Sequence, residues 1–264
     1  MRGSAQPRKA SSARKASSAR EASSAREASS AWEAAELTAA SLSSLPGVQG
    51  VLLFGSVARR RSDPDSDIDM LVVGATPGLT TRALLAGLPA NLRKWHLSVQ
   101  YYTTGELAEL FAAGPAFTDH LRREGVVLFD RDGRLSELLS SPGGRAISID
   151  DEIALQLSRL RPLEAWPQYN GNFLACLAEL YAIARAVVIL VLARSDAAEF
   201  DHRTIFSAYR VRYPERGTDL DTVAELAPFA RLVAGRKGEL PFSYRNAEDH
   251  ASAAVAAIRR LAAP

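Results

Sequence analysis

Cysteine is nearly missing from these 264 residues, and its one copy, Cys176, sits inside an apolar helical pattern. That excludes a disulfide framework and a thiolate zinc cluster, and it reads as a buried thiol in a reducing, cytoplasmic setting. Uninterrupted apolar runs are also missing. The longest, around Phe173 to Ala193, is broken by Glu179 and Arg185, which argues against a membrane span, and the N-terminus lacks the apolar centre of a secretory signal. Acid is absent from the first twenty residues, which carry Arg2, Arg8, Lys9, Arg14, Lys15 and Arg20. The formal charge of +2 therefore hides a basic tail and a mildly acidic body, and the body charge gives no nucleic-acid signal. From Met70 to Gly105 there is no Asp or Glu at all.

What is present has a clear order. Residues 1–31 form a low-complexity tail whose hexad repeat, KASSAR, KASSAR, EASSAR, EASSAW, runs to Trp32 and is too poor in large apolar groups to build a core. A helix is expected from about Trp32 to Leu45. Strands are expected at Val51 to Phe54, Ile68 to Val73, Leu97 to Tyr102 and Val126 to Phe129, with helices at Thr80 to Leu92, Gly105 to Ala113 and Phe117 to Arg123. After the SPGG at 141–144 no further strand pattern appears. About five helices are expected there: Asp150 to Arg161, Asn172 to Arg194, Arg203 to Tyr213, Leu220 to Ala234 and Ala247 to Leu261. The fold class is α+β: a mixed-sheet domain with flanking helices over 32–141, then an all-α bundle over 149–264.

The informative stretch is LLFGSVARRRSDPDSDIDMLVV at 52–73. Asp67 and Asp69 bracket Ile68, so in a strand both carboxylates share one face while Ile68 turns to the core. Paired acids are costly to desolvate unless a cation lies between them. Oxygen-only ligands suit Mg²⁺ or Mn²⁺, and Mg²⁺ needs only one or two carboxylates when phosphates and water complete its octahedron. Gly55 lets the backbone approach a phosphate, and Ser56 is placed to cap the following helix and to donate its hydroxyl to a phosphate oxygen. Arg59, Arg60 and Arg61 either hold phosphates or balance the acids of their own loop.

The segment GSVARRRSDPDSDID, with Gly-Ser, ten residues and then Asp-x-Asp in an apolar strand, resembles the signature of the minimal nucleotidyltransferases of the DNA polymerase beta-like superfamily. The resemblance extends over roughly residues 35 to 130, through YTTGELAELFAAGPAFTDHLRREGVVLFD. It implies transfer of a nucleoside monophosphate, commonly AMP, from an NTP such as ATP to a hydroxyl of a small molecule or protein, with release of pyrophosphate. Asp67, Asp69 and Ser56 are then the catalytic residues, Asp67 and Asp69 the metal ligands, and Gly55, Ser56 and Arg59 the nucleotide contacts. Such enzymes usually carry a third carboxylate on the next strand. Here HLSVQYY leaves its place to Ser98 or Gln100, and Arg60 stands where relatives often have Gly.

Near the end, Arg245-Asn246-x-x-x-His250 resembles the motif of HEPN helical domains, in which Arg and His act on RNA. That implies two alternatives to transfer: an RNase or toxin with the nucleotidyltransferase domain in a regulatory role, or a nucleotide-binding protein without turnover. His96, His120 and His202 read as structural or solvent-facing, and Trp166, Tyr169 and Tyr181 as core or cleft aromatics. The partners implied are an NTP, a hydroxyl acceptor and, through the helical domain, RNA; no membrane is implied, and a homodimer is left open.

Overall fold

The computed structural model describes residues 28–64, 66–142, 146–164, 172–235, 239–240 and 246–263. The basic tail, Trp166, Tyr169 and Arg245 lie outside the described residues. The chain divides into two compact units, Met1–Gly144 and Arg145–Pro264.

The first unit is built on one four-stranded sheet. Its strands are β1 (Val48–Phe54), β2 (Ile68–Gly74), β3 (Leu97–Thr103) and β4 (Val126–Asp130), in the order β3-β2-β1-β4. β1 runs antiparallel to both β2 and β4, whereas β2 and β3 are parallel. Alternation splits the strands between two cores. Val51, Leu53, Ile68, Met70 and Val72 face helix α1 (Ala31–Ser43), through Ala34, Ala35, Ala39 and Leu42. Leu52, Phe54, Leu71 and Val73 face the opposite way, onto Leu107, Phe111, Leu121 and Leu135. Leu52, Leu53, Ile68, Met70 and Leu71 are fully buried, and each such side chain contributes about 1.5–3 kcal/mol of transfer free energy. A mixed sheet with both faces covered is the α+β arrangement expected from the sequence.

The strands fall where expected, with β1 three residues longer at its start because an irregularity between Val48 and Gly50 is absorbed within the pairing. The helix expected over 80–92 is instead two short ones, α3 (Thr81–Ala86) and α4 (Ala90–Arg93). Gly87 caps the first and Pro89 precedes the second, and a proline cannot continue the hydrogen-bond ladder of the turn before it. α5 (Thr104–Ala113) starts from a capping box between Thr103 and Glu106. α6 (Ala116–Glu124) follows, and α7 (Arg134–Ser140), not anticipated from the sequence, packs Leu135 beneath β1.

The second unit is all helical among the described residues. α8 (Ile149–Ser158) and α9 (Leu160–Glu164) lead to the central α10 (Phe173–Arg194). α11 (Ile205–Arg212), α12 (Gly217–Ala224), α13 (Ala227–Val233) and α14 (Ala247–Ala262) complete it. The single helix expected over 220–234 is split at Glu225–Leu226, with Pro228 in the first turn of α13. By length and composition α10 is long and apolar enough to cross a membrane, despite Glu179 and Arg185. In this unit it is the core helix: Leu177, Leu180, Ile183, Val187 and Val188 are buried, and α8, α13 and α14 pack around it. Cys176 is buried on that face, and burial pushes its thiol up to about 11, which keeps it an inert apolar filler.

Candidate functional site

The Gly-Ser turn and the two acids meet because β1 and β2 are paired. Phe54, the last residue of β1, lies opposite Asp69 in the antiparallel ladder, so Gly55 emerges beside the Asp69 carboxylate. A Cβ built on Gly55 would come 2.5 Å from Asp69 Oδ2. Gly55 also has φ +75°, a left-handed conformation that side chains resist. Glycine is therefore needed twice here, for the bend and for the close approach of backbone to carboxylate.

Ser56 does not cap the helix as expected. The single turn Gly55–Ala58 (α2) opens one residue earlier, with Phe54 as the flanking residue and no side-chain cap. Ser56 is buried within that turn, and its carbonyl accepts the amide N–H of Arg61 at 2.9 Å. Downstream, Ser66 closes the loop on Asp63. The Asp63 N–H donates to its hydroxyl, and the hydroxyl donates to Asp63 Oδ1, both at 2.9 Å. Asp67 follows, just ahead of β2, half-buried like Asp69, while Ile68 between them is fully buried. The alternation inferred from the sequence thus holds across this triplet.

The parallel register separates the two positions that the resemblance named for a third acid. Asp69 lies beside Ser98, whereas Gln100 lies beside Leu71. A hydroxyl with no useful basicity near neutrality therefore occupies the neighbouring strand position.

Two arginines of the loop, Arg59 and Arg60, have different fates. Arg59 ends the one-turn helix and donates to the Glu124 carboxylate at the end of α6. Glu124 also holds His120, with Nε2 and Oε2 2.9 Å apart. Burial alone would raise the Glu124 carboxyl, but the hydrogen bonds and charges of His120 and Arg59 outweigh it and hold the group below the usual carboxylate range. The His120 ring stands edge-on to Phe54, with centroids 5.8 Å apart, and Phe117 packs edge-on to Phe54 at 5.7 Å. A network of Arg59, Glu124 and His120 thus ties the Gly-Ser turn to α6. Sequence reasoning missed Glu124 and read His120 as structural; the only available signal was their i, i+4 spacing on one helix. Arg60 takes the left-handed conformation itself, φ 59°, and lays its guanidinium over Trp32 of α1, 3.3 Å from the ring centroid. The loop keeps the shape a glycine would give, propped by a cation–π contact.

Among the described residues no group of three or more His, Cys, Asp or Glu side chains is placed to enclose a metal ion. Two half-buried carboxylates beside the Gly55–Ser56 turn fit instead an ion completed by substrate phosphates and water, the pattern suited to Mg²⁺. In the helical unit His250 opens α14 with Nδ1 3.7 Å from Glu225, an ordinary inter-helix pairing. Tyr181 packs edge-on to Phe206 at 6.0 Å as a core contact.

Residues 38–134, a little over a third of the chain, match the family described as Polymerase beta, Nucleotidyltransferase. That match falls within the first unit, and the helical unit lies outside it. No curated protein matches the sequence. Among solved structures, a spectinomycin adenyltransferase from Enterococcus faecialis, determined with ATP and spectinomycin, is 14% identical, covering 81% of this chain and 92% of its own, with a TM-score of 0.47. A nucleotidyltransferase-like protein from Exiguobacterium sibiricum is 12% identical, covering 88% of this chain and 74% of its own, with a TM-score of 0.34.

Proposed function

We propose that the protein moves a nucleoside monophosphate, AMP from ATP, to a hydroxyl of a small molecule or protein. The observation that carries this reading is the close approach of Gly55 to the Asp69 carboxylate within a domain of the nucleotidyltransferase family. In this reading Asp67 and Asp69 hold Mg²⁺ or Mn²⁺, the Gly55–Ser56 turn receives the triphosphate, and Ser56 donates its hydroxyl to a phosphate oxygen. The bound ion would neutralise charge on the triphosphate and help orient its α-phosphorus. Arg59, held in place by Glu124, contacts the nucleotide at the turn in this reading.

The acceptor oxygen bonds to the α-phosphorus as the bond to the β-phosphate oxygen breaks, and pyrophosphate leaves. Ser98 cannot take the acceptor proton, which goes to water or to a base on the substrate. Weaker acid–base help of this kind costs about 10²- to 10⁴-fold in rate, so turnover is expected to be slow.

Incubation with Mg²⁺ and α-labelled ATP tests the proposal: label should appear on an acceptor and disappear with Asp69→Asn. Calorimetric ATP binding with no pyrophosphate released, across a panel of hydroxyl acceptors, would instead identify a nucleotide-binding protein without turnover.

A further inference from the structure

An open groove of about 580 Å³ runs along the edge of the sheet between α3, α4 and the start of β3. Its floor is apolar: Leu85, Trp95 and Leu97 pack against the core beneath α1. Two arginines stand on its walls, Arg82 from α3 and Arg93 from the end of α4, both exposed. Neither forms an ion pair among the described residues. Lys94 and His96, also exposed, alternate with Trp95 and Leu97 along the same chain segment. No acidic residue lines the groove, and none occurs anywhere from Met70 to Gly105. The indole Nε1 of Trp95 is shielded from solvent and has no acceptor among the described residues, although a buried Trp N–H usually finds one.

Two exposed arginines beside an aromatic floor, in a groove lined by no acid, offer a complementary seat to an anionic aromatic ligand. We propose that this groove binds single-stranded nucleic acid, with a base on Trp95 and successive phosphates on Arg82 and Arg93. A strand fits better than a free mononucleotide because the two arginines come from different helices on an open track, and a single phosphate would use one of them. The site is distinct from the Gly55–Asp69 turn: Leu97 turns to the α1 side of the sheet, Asp69 to the other. Binding there does not depend on the transfer reading.

The test is fluorescence anisotropy of a labelled twelve-nucleotide oligouridylate with the full chain, as a function of salt. The six cations of the first twenty residues are present in every variant, so differences between variants report the groove. Arg82→Glu/Arg93→Glu should weaken binding at least tenfold and lower the slope of log K against log salt by about 1.4, the share of two phosphate contacts on a single strand. Trp95→Ala should weaken binding roughly tenfold, and Trp95→Phe, which keeps a ring and guards against misfolding, should restore most of it. Unchanged affinity and salt slope in the double arginine variant would overturn the proposal. So would equal competition by uridine monophosphate or by a duplex of the same length, or no binding by the wild-type chain.

Discussion

The helical unit and the α3–β3 edge of the first unit treat arginine in opposite ways. In the helical unit five guanidinium groups are answered by carboxylates from another part of the unit: Arg159 by Glu179, Arg194 by Asp150, Arg210 by Asp221, Arg259 by Glu164 and Arg260 by Asp219. Along the sheet edge Arg82 and Arg93 line a groove with no acid in it. The Gly-Ser turn stands between these extremes, with Arg59 held by a carboxylate that also holds a histidine. A cation met by a carboxylate has its charge spent within the fold, whereas cations collected away from acids keep a field that a ligand can use. The same residue type thus serves cohesion in one place and reception in another, and only the partners distinguish the two.

The sharpest way to separate reception from cohesion is Asp69→Asn. Label transfer from ATP should fall by at least about 10²-fold, the scale of lost electrostatic stabilisation, while the melting temperature stays near the wild-type value. Gly55→Ala comes next, since it meets both an unfavourable φ and the Asp69 carboxylate. A destabilisation of about 1–3 kcal/mol, the range for a strained backbone, should accompany weaker transfer, read by chemical denaturation and the same label. Glu124→Gln probes the intermediate case through pH. The folded Glu124 carboxyl lies below its ordinary value, so its contribution is complete above the unfolded Glu range near pH 4.3 and is lost as pH falls through the folded value. Wild type should therefore be the more stable at pH 7, and its advantage over Glu124→Gln should shrink on acidification below about pH 4.3, measured by thermal melting. The smallest effect belongs to Arg210→Ala. It breaks an exposed pair with Asp221 and should change stability by no more than about 1 kcal/mol, with transfer unaltered.

Legibility in the sequence followed the range of the forces involved. The strands could be read because apolar alternation is local, and Gly55, Ser56, Asp67 and Asp69 because their spacing spans only one turn and one strand. The break at Pro89 and the split before Pro228 were equally local signals, overridden by apolar periodicity that runs through them. Ser56 was misread as a cap because the turn opens at Gly55, whose bend beside Asp69 depends on the pairing of β1 with β2 rather than on local sequence. Ser98 could not be chosen over Gln100, since alternation places both on one face and only the pairing of β2 with β3 sets the register. Glu124 was out of reach for the same reason, being 65 residues from the arginine it holds.

The stacking of Arg60 on Trp32 has a bearing on how small this domain can be made. The family match begins at residue 38, inside α1 and beyond Trp32. A version trimmed to that start would keep all four strands and both acids, yet it would remove the indole that steadies a non-glycine residue in the mirror-image region of backbone space. The part of the fold that shapes the Gly-Ser loop thus reaches upstream of the matched residues, into a helix that both covers one face of the sheet and buttresses this bend.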